Sequence, residues 1–209
     1  WSLKCVDAGS EYCPCHLAES GYCMACSLLA GAKFCDCSWS GSCSYLNYRF
    51  SQGIVVERSE KVVSCDKNEI VPGLLELHFC LDAEWLKGLS QAGSFLFIRP
   101  IEAPSSAAVP VSVVDVKGSK VRLVVDCVGP KTRLLAQTKR EIAIRGPYHS
   151  GFSNSYALTK VRNANAVLVA GGVGQSALVL AAKALLRGGN RIWACLAPGK
   201  AGLAYVGQD

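Results

Sequence analysis

Two stretches of the chain carry residue types and spacings that could do chemistry. The first is a run of eight cysteines within the opening 43 residues: Cys5, Cys13, Cys15, Cys23, Cys26, Cys35, Cys37 and Cys43. Their spacing is C-x7-C-x-C-x7-C-x2-C-x8-C-x-C-x5-C. Close pairs let one turn present two thiolates to one site, and the more distant pairs then close it. Cys-x-Cys pairs are poorly suited to local bridging, so metal ligation is favoured over a disulfide framework, although the even total of 12 cysteines fits both. Cys13, Cys15, Cys23, Cys26, Cys35, Cys37 and Cys43 are more thiolates than one cluster or one zinc needs. Iron–sulfur clusters and zinc both accept an all-thiolate tetrahedral site, so the spacing alone leaves the metal and its ligand set open.

The second stretch is Asn165-Ala-Val-Leu-Val-Ala-Gly-Gly-Val-Gly-Gln-Ser-Ala-Leu178. Val167, Leu168 and Val169 form the short apolar run of a strand covered on both faces. Gly171, Gly172 and Gly174 remove Cβ atoms where the chain turns and where a ligand approaches backbone. Leu178, Ala181, Ala182 and Leu185 then recur at helical spacing. A helix beginning at the end of a strand presents N–H groups and a positive dipole end, which suits a phosphate. Gly-Gly-Val-Gly is not Gly-x-Gly-x-x-Gly, and a tight structural connection reads the same way.

The elements that must position these residues fall into three textures. Residues 1–50 are rich in Gly, Ser and Cys, have little periodicity, and must be ordered by something other than a packed core. From Gly53 the chain reads as short strands: Ile54–Arg58, Val62–Cys65, and a run in which Leu75, Leu77 and Phe79 alternate with Glu76, His78 and Cys80. Asp82–Leu89 suggests a short helix, Gly93–Pro100 a strand stopped by proline, and Ile101–Ala108 a loop. Val111–Val116 and Val121–Val128 form a hairpin around Lys117-Gly118-Ser119, then come a helix over Lys131–Gln137 and a strand over Glu141–Arg145. Closely spaced short strands predict a small antiparallel β-barrel. A strand, a helix over about Gln175–Leu186 and a strand over Arg191–Leu196 make one βαβ unit. Two parallel strands do not make a covered sheet, so the chain is expected to be part of a longer polypeptide.

Composition narrows the class. Of the 209 residues half are hydrophobic and 18% are charged, which is globular, and no run of 18 apolar residues predicts a membrane span. The chain starts at Trp1, not Met, so the natural N-terminus is expected to be missing or processed. Residues 1–43 hold two Lys against four Asp or Glu, whereas the remainder holds 20 basic and 12 acidic residues. A basic body suits an anionic cofactor. Nucleic acid is not the expected partner, because Cys₂His₂ spacing and aromatic-rich basic motifs are lacking.

Four landmarks in sequence order resemble the ferredoxin–NADP reductase superfamily, above all the electron-transfer subunit of dihydroorotate dehydrogenase and sulfide-dehydrogenase-like proteins. They are Gly93–Arg99, Val109–Asp115, Val128–Thr132 with Leu134-Leu135, and Gly146-Pro-Tyr-His-Ser-Gly-Phe152 followed by the Gly171–Leu178 turn. The resemblance covers about residues 53–196, and the order and spacing of the motifs are its specific part. It implies a flavin-binding antiparallel barrel followed by a nicotinamide-binding α/β domain. It places FAD or FMN against Pro110, Val111, Ser112, Gly129, Lys131, Thr132 and Gly146, and NAD(P)H against Gly171, Gly172 and Gly174. Val109 stands where the family's flavin strand carries an Arg, with Arg99, Lys131 or Arg133 as replacements for that charge. The family's cluster cysteines lie after the nucleotide domain, whereas the cysteine-rich stretch here comes first, so those ligands do not carry over.

The organisation expected is thus a cysteine-rich metal segment over residues 1–50, a flavin barrel over 51–160 and a truncated nucleotide domain over 161–209. The expected function is a cytoplasmic electron-transfer flavoprotein that works with a partner oxidoreductase subunit. Hydride exchange with a nicotinamide moves two electrons and a cluster accepts one, so a flavin is the converter between them. That context favours an iron–sulfur cluster over zinc in the first 43 residues. The competing expectation is a non-catalytic, zinc-stabilised binding module on a degenerate reductase body. No catalytic residue is assigned, since His16, His78 and His149 lack a motif partner.

Overall fold

The computed structural model describes residues 26–28, 31–36, 45, 59–104, 107–138, 140–148 and 158–207. The chain divides into two compact units, Trp1–Glu57 and Arg58–Asp209. In the first, Ser27 organises the loop between Cys26 and Cys35: its Oγ donates to the Phe34 carbonyl at 3.3 Å and accepts from the Asp36 amide at 3.4 Å. The Ile54–Arg58 strand, apart from Arg58's place at the head of the second unit, lies outside the described residues.

The second unit opens with seven strands: β1 (Ser59–Ser64), β2 (Asp66–Val71), β3 (Leu74–Cys80), β4 (Phe95–Pro100), β5 (Val109–Lys117), β6 (Lys120–Asp126) and β7 (Glu141–Tyr148). They form one antiparallel sheet in the order β1-β7-β4-β5-β6-β3-β2. The two end strands of that order, β1 and β2, are joined in sequence by Cys65 alone, so the sheet must curl until its edges meet. The alternation along each strand explains the interior. Leu77 and Phe79 of β3, Leu96 and Ile98 of β4, Val121, Leu123 and Val125 of β6, and Ile142 and Ile144 of β7 share one buried core. Hydrophobic burial of this kind contributes about 25 cal/mol per Å² of apolar surface.

Two helices close the ends. Helix α1 (Ala83–Leu89) is capped by Asp82, whose carboxylate accepts from the Trp85 amide, and it buries Trp85 and Leu89. Helix α2 (Pro130–Gln137) starts with proline, which is tolerated at the first helical position because its missing N–H had no partner there. It packs against β4 and sends Leu135 into the core.

The chain then forms β8 (Asn165–Gly171), a 3-10 turn over Gly172–Ala177, α3 (Leu178–Arg187) and β9 (Arg191–Ala197). β8 and β9 pair in parallel, residue Asn165 opposite Arg191 and Gly171 opposite Ala197. Here the structure corrects the sequence reading twice. The α-helix begins at Leu178, and the expected first turn from Gln175 is 3-10. β8 is not covered on both faces: Val167 is 63% exposed and Val169 76%, beside Trp193 on β9 at 52%. A lone pair of parallel strands with a helix on one side leaves the other side bare. α3 fixes this part to the barrel. Leu180 enters the barrel core, and the Lys183 ammonium pairs with the buried Asp115 carboxylate of β5. Among the described residues no helix is long and apolar enough to cross a membrane.

Candidate functional site

The outer face of β7, β4 and β5 is built by the same alternation that fills the core. Because Leu96 and Ile98 point inward, Phe95 and Phe97 point out; because Val111 and Val113 point inward, Pro110 and Ser112 point out. Register lines these residues up. Tyr148, Phe95 and Ser112 form one row across the three strands, and Arg145, Phe97 and Pro110 the next. Phe95 and Tyr148 stack with ring centroids 5.0 Å apart, Phe97 meets both edge-on, and the Arg145 guanidinium lies 5.3 Å from the Phe97 centroid. Phe95 and Tyr148 are themselves buried, at 3% and 2% exposure, so what this face presents is the partly exposed Phe97 ring, the Ser112 hydroxyl and the Arg145 cation. Sequence reading found Pro110 and Ser112 but missed the aromatic rows, which appear only once register is known.

Val111 sends its side chain into the core, so only its backbone serves the outer face. Gly146 has a packing reason of its own: a Cβ there would lie 2.6 Å from Leu96 Cδ2. Arg99 does not take the place of the Arg missing at 109. Its guanidinium donates to the Pro100, Ile101 and Ala103 carbonyls and pairs with Glu60, so it holds the loop after β4. Lys131 and Arg133 are exposed on α2.

At the start of α2, the Gly129 amide donates to Thr132 Oγ1 at 3.1 Å, and that hydroxyl returns to the Gly129 carbonyl at 3.1 Å. Thr132 thus closes the first turn from within, leaving the positive helix end outward. Gly129 has an ordinary φ of −113°. A Cβ on it would meet nothing nearer than Thr132 Oγ1 at 4.0 Å. Neither conformation nor packing requires a glycine at this position.

The glycine turn after β8 divides in the same way. Gly172 has φ +53°, which favours glycine. Gly171 is extended, and its Cβ would meet Ala197 Cβ at an ordinary 3.4 Å. Gly174 is exposed, without a left-handed φ, and a Cβ there would have nothing within 4 Å. The turn is held by a buried network that sequence reading missed. The Gln175 side-chain amide donates to the Ala197 and Leu203 carbonyls, and its oxygen accepts from the Tyr205 amide. Ser176 Oγ and Tyr205 Oη are 2.8 Å apart, and Tyr205 Oη also donates to the Val173 carbonyl. Burial pushes the Tyr205 phenol upward, with the Ser176 contact opposing. The partners lie 22 to 32 residues away in sequence, so no local pattern announces them.

Of the expected metal ligands, Cys13, Cys15, Cys23, Cys37 and Cys43 lie outside the described residues, as do His16 and His149. Cys26 is half-buried and Cys35 exposed. Among the described residues no group of three His, Cys, Asp or Glu could hold a metal ion.

No family model matches the chain, and no curated protein does. Solved structures do. An NADH-dependent reduced ferredoxin–NADP oxidoreductase, studied for flavin-based electron bifurcation, matches at 28% identity and a TM-score of 0.50 over 64% of this chain. The chain has the fold of the ferredoxin–NADP reductase superfamily. The reductase likeness spans 47% of that structure. A flavohemoglobin from Malassezia yamatoensis with bound FAD and heme shares the fold at 11% identity and a TM-score of 0.55, over 79% of this chain and 48% of its own. This chain therefore spans about half the length of these reductase-fold structures.

Proposed function

We propose that this chain is the flavin- and nucleotide-binding part of an electron-transfer oxidoreductase that passes electrons between NAD(P)H, a flavin and a cysteine-bound centre, and on to a partner protein. The observation that carries the reading is a pair of glycines the fold does not need. Gly129 begins a helix and Gly174 lies in the turn after a parallel strand, and each leaves open space where a Cβ would stand. Both positions leave room for a ligand to approach the backbone. In the superfamily these turns receive the phosphates of flavin and nicotinamide nucleotide.

The residues present fit a flavin. Ser112 and Pro110 stand on the outer face beside the ring cluster of Phe95, Phe97 and Tyr148, and Arg145 supplies a cation there. Lys131 and Thr132 mark the helix start that would hold flavin phosphate, with Val111 contributing backbone and Gly146 close sheet packing. A flavin bound there would supply the two-electron to one-electron conversion. The chain's own residues would orient it beside the Phe97 ring and hold the glycine turn through Gln175, Ser176 and Tyr205. We assign Gly171, Gly172 and Gly174 to NAD(P)H, and the cysteines from Cys13 to Cys43 to an iron–sulfur cluster. The domain limits proposed are 1–50, 51–160 and 161–209, in a cytoplasmic protein.

One observation favours a second reading. With Val109 in place of an Arg and Arg99 spent on the loop after β4, the charge that family members place on flavin pyrophosphate is not restored from Arg99. A body that had lost its flavin, with zinc in the cysteine segment, would look like this. Titration of the purified chain with FAD and with FMN separates the two: a stoichiometric complex supports the first reading, and no binding of either supports the second.

A further inference from the structure

We propose that a cavity at the C-terminal end of α2 is a second ligand site, taking a small phosphorylated metabolite of sugar-phosphate or mononucleotide size. The cavity has a volume of about 530 Å³ and opens to solvent. That lies within the ~300–1,000 Å³ range of small-molecule sites. Lys67, His78, Lys120 and Arg140 line it, with Asp66 as its carboxylate. Helix α2 has eight residues, so its two ends are about 12 Å apart, and this cavity is not the phosphate position at Gly129.

A helix C-terminus normally repels an anion. Here Lys67 cancels that repulsion. Its ammonium reaches from β2 to the last-turn Leu135 carbonyl at 2.6 Å and to the Thr138 carbonyl at 2.7 Å. Burial draws the Lys67 pKa down, with the nearby Cys65 and Cys127 thiols opposing, so this cation is partly withdrawn from water. Lys120 and Arg140 make no ion pair among the described residues, unlike Lys61, Arg99, Arg122 and Lys183. Two uncommitted cations at one cavity mouth suit a phosphate, which accepts from both.

His78 forms a fixed part of the cavity wall. Its Nε2 lies 3.1 Å from Glu76 Oε2, and Glu76 is held in turn by Arg122 at 2.6 Å. The other ring nitrogen, Nδ1, is buried and has no hydrogen-bond partner among the described residues. At about 530 Å³ the cavity is far larger than one phosphate group, so a phosphorylated molecule with a further polar body fills it better than inorganic phosphate does. The inference is independent of flavin binding.

The test is calorimetric titration of the full chain with ribose 5-phosphate, AMP and inorganic phosphate at low and raised salt. The expected result is a one-to-one complex with ribose 5-phosphate or AMP, tighter than with inorganic phosphate and weakened by salt. Lys120→Gln with Arg140→Gln should weaken it at least about tenfold, as two charge-assisted contacts are lost. Both side chains are exposed and make no ion pair among the described residues, so an unchanged unfolding midpoint is expected for this variant. No binding of any probe, equal binding by the double variant, or binding lost in Gly174→Leu instead would overturn the assignment. So would inorganic phosphate binding as tightly as the sugar phosphate.

Discussion

Gly199 presses its backbone against Gly172: a Cβ built on Gly199 would lie 2.5 Å from the Gly172 Cα and 2.9 Å from its nitrogen. Both residues have positive φ, +63° and +53°. The glycine turn after β8 is thus one half of a contact whose other half follows β9. Ala in place of Gly199 should force the two backbones apart and cost about 1–3 kcal/mol. Denaturant unfolding measures it, and a variant as stable as the parent would show the contact to be loose.

Gly174 is predicted to behave in the opposite way. Its Cβ position is open, so Gly174→Leu should change stability by no more than about 0.5 kcal/mol. If the nicotinamide nucleotide approaches this turn, the same variant should lose at least tenfold in NAD(P)H affinity, about 1.4 kcal/mol. Unchanged affinity in a stable variant would remove the nucleotide from the turn.

Gly129 makes a sharper test because fold and function should diverge. Serine is a slightly better N-cap than glycine, so Gly129→Ser should leave the fold as stable or raise it by a few tenths of a kcal/mol. Its side chain would occupy the space assigned to flavin phosphate, and flavin retention should fall. A variant that keeps flavin through gel filtration as the parent does would refute the assignment.

How legible was this molecule? The barrel strands with alternating faces were readable, because Leu77, Phe79, Val121 and Leu123 leave a period-two trace. β2 was not, since Asp66-Lys67-Asn68-Glu69 is polar and belongs to a strand at the end of the sheet order, where one flank has no ladder partner among the described residues. The glycine turn was visible as composition, but its fixation was not. Gln175 looks like an ordinary helix residue until its bonds to Ala197, Leu203 and Tyr205 are seen. The expectation of a two-face-covered β8 failed because Val167-Leu168-Val169 records what the strand can bury, not what is there to cover it.

Cys65 gives the pH dependence a sign. Burial raises its thiol pKa from about 9 to about 11, against the pull of Lys67. The folded state therefore holds this proton more tightly than the unfolded chain does. Stability from this group is intact below pH 9 and is lost as pH climbs from 9 to 11. The stability difference between the parent and Cys65→Ala should shrink across that window, as followed by unfolding midpoints. A constant difference would mean that the thiol is not shielded from water. Lys67 titrates in the opposite sense, and burial rather than Cys65 is the main cause of its shift, which is why the comparison uses the difference.

The central claim is that one chain carries both a flavin and a cysteine-bound redox centre. It is tested most directly on protein purified without air, by its absorption spectrum together with flavin, iron, zinc and acid-labile sulfide analysis, before and after NAD(P)H. The account predicts flavin bands that bleach with NAD(P)H, and iron and sulfide in stoichiometric amounts. A colourless protein with stoichiometric zinc, taking up neither flavin nor iron on anaerobic reconstitution, would contradict it.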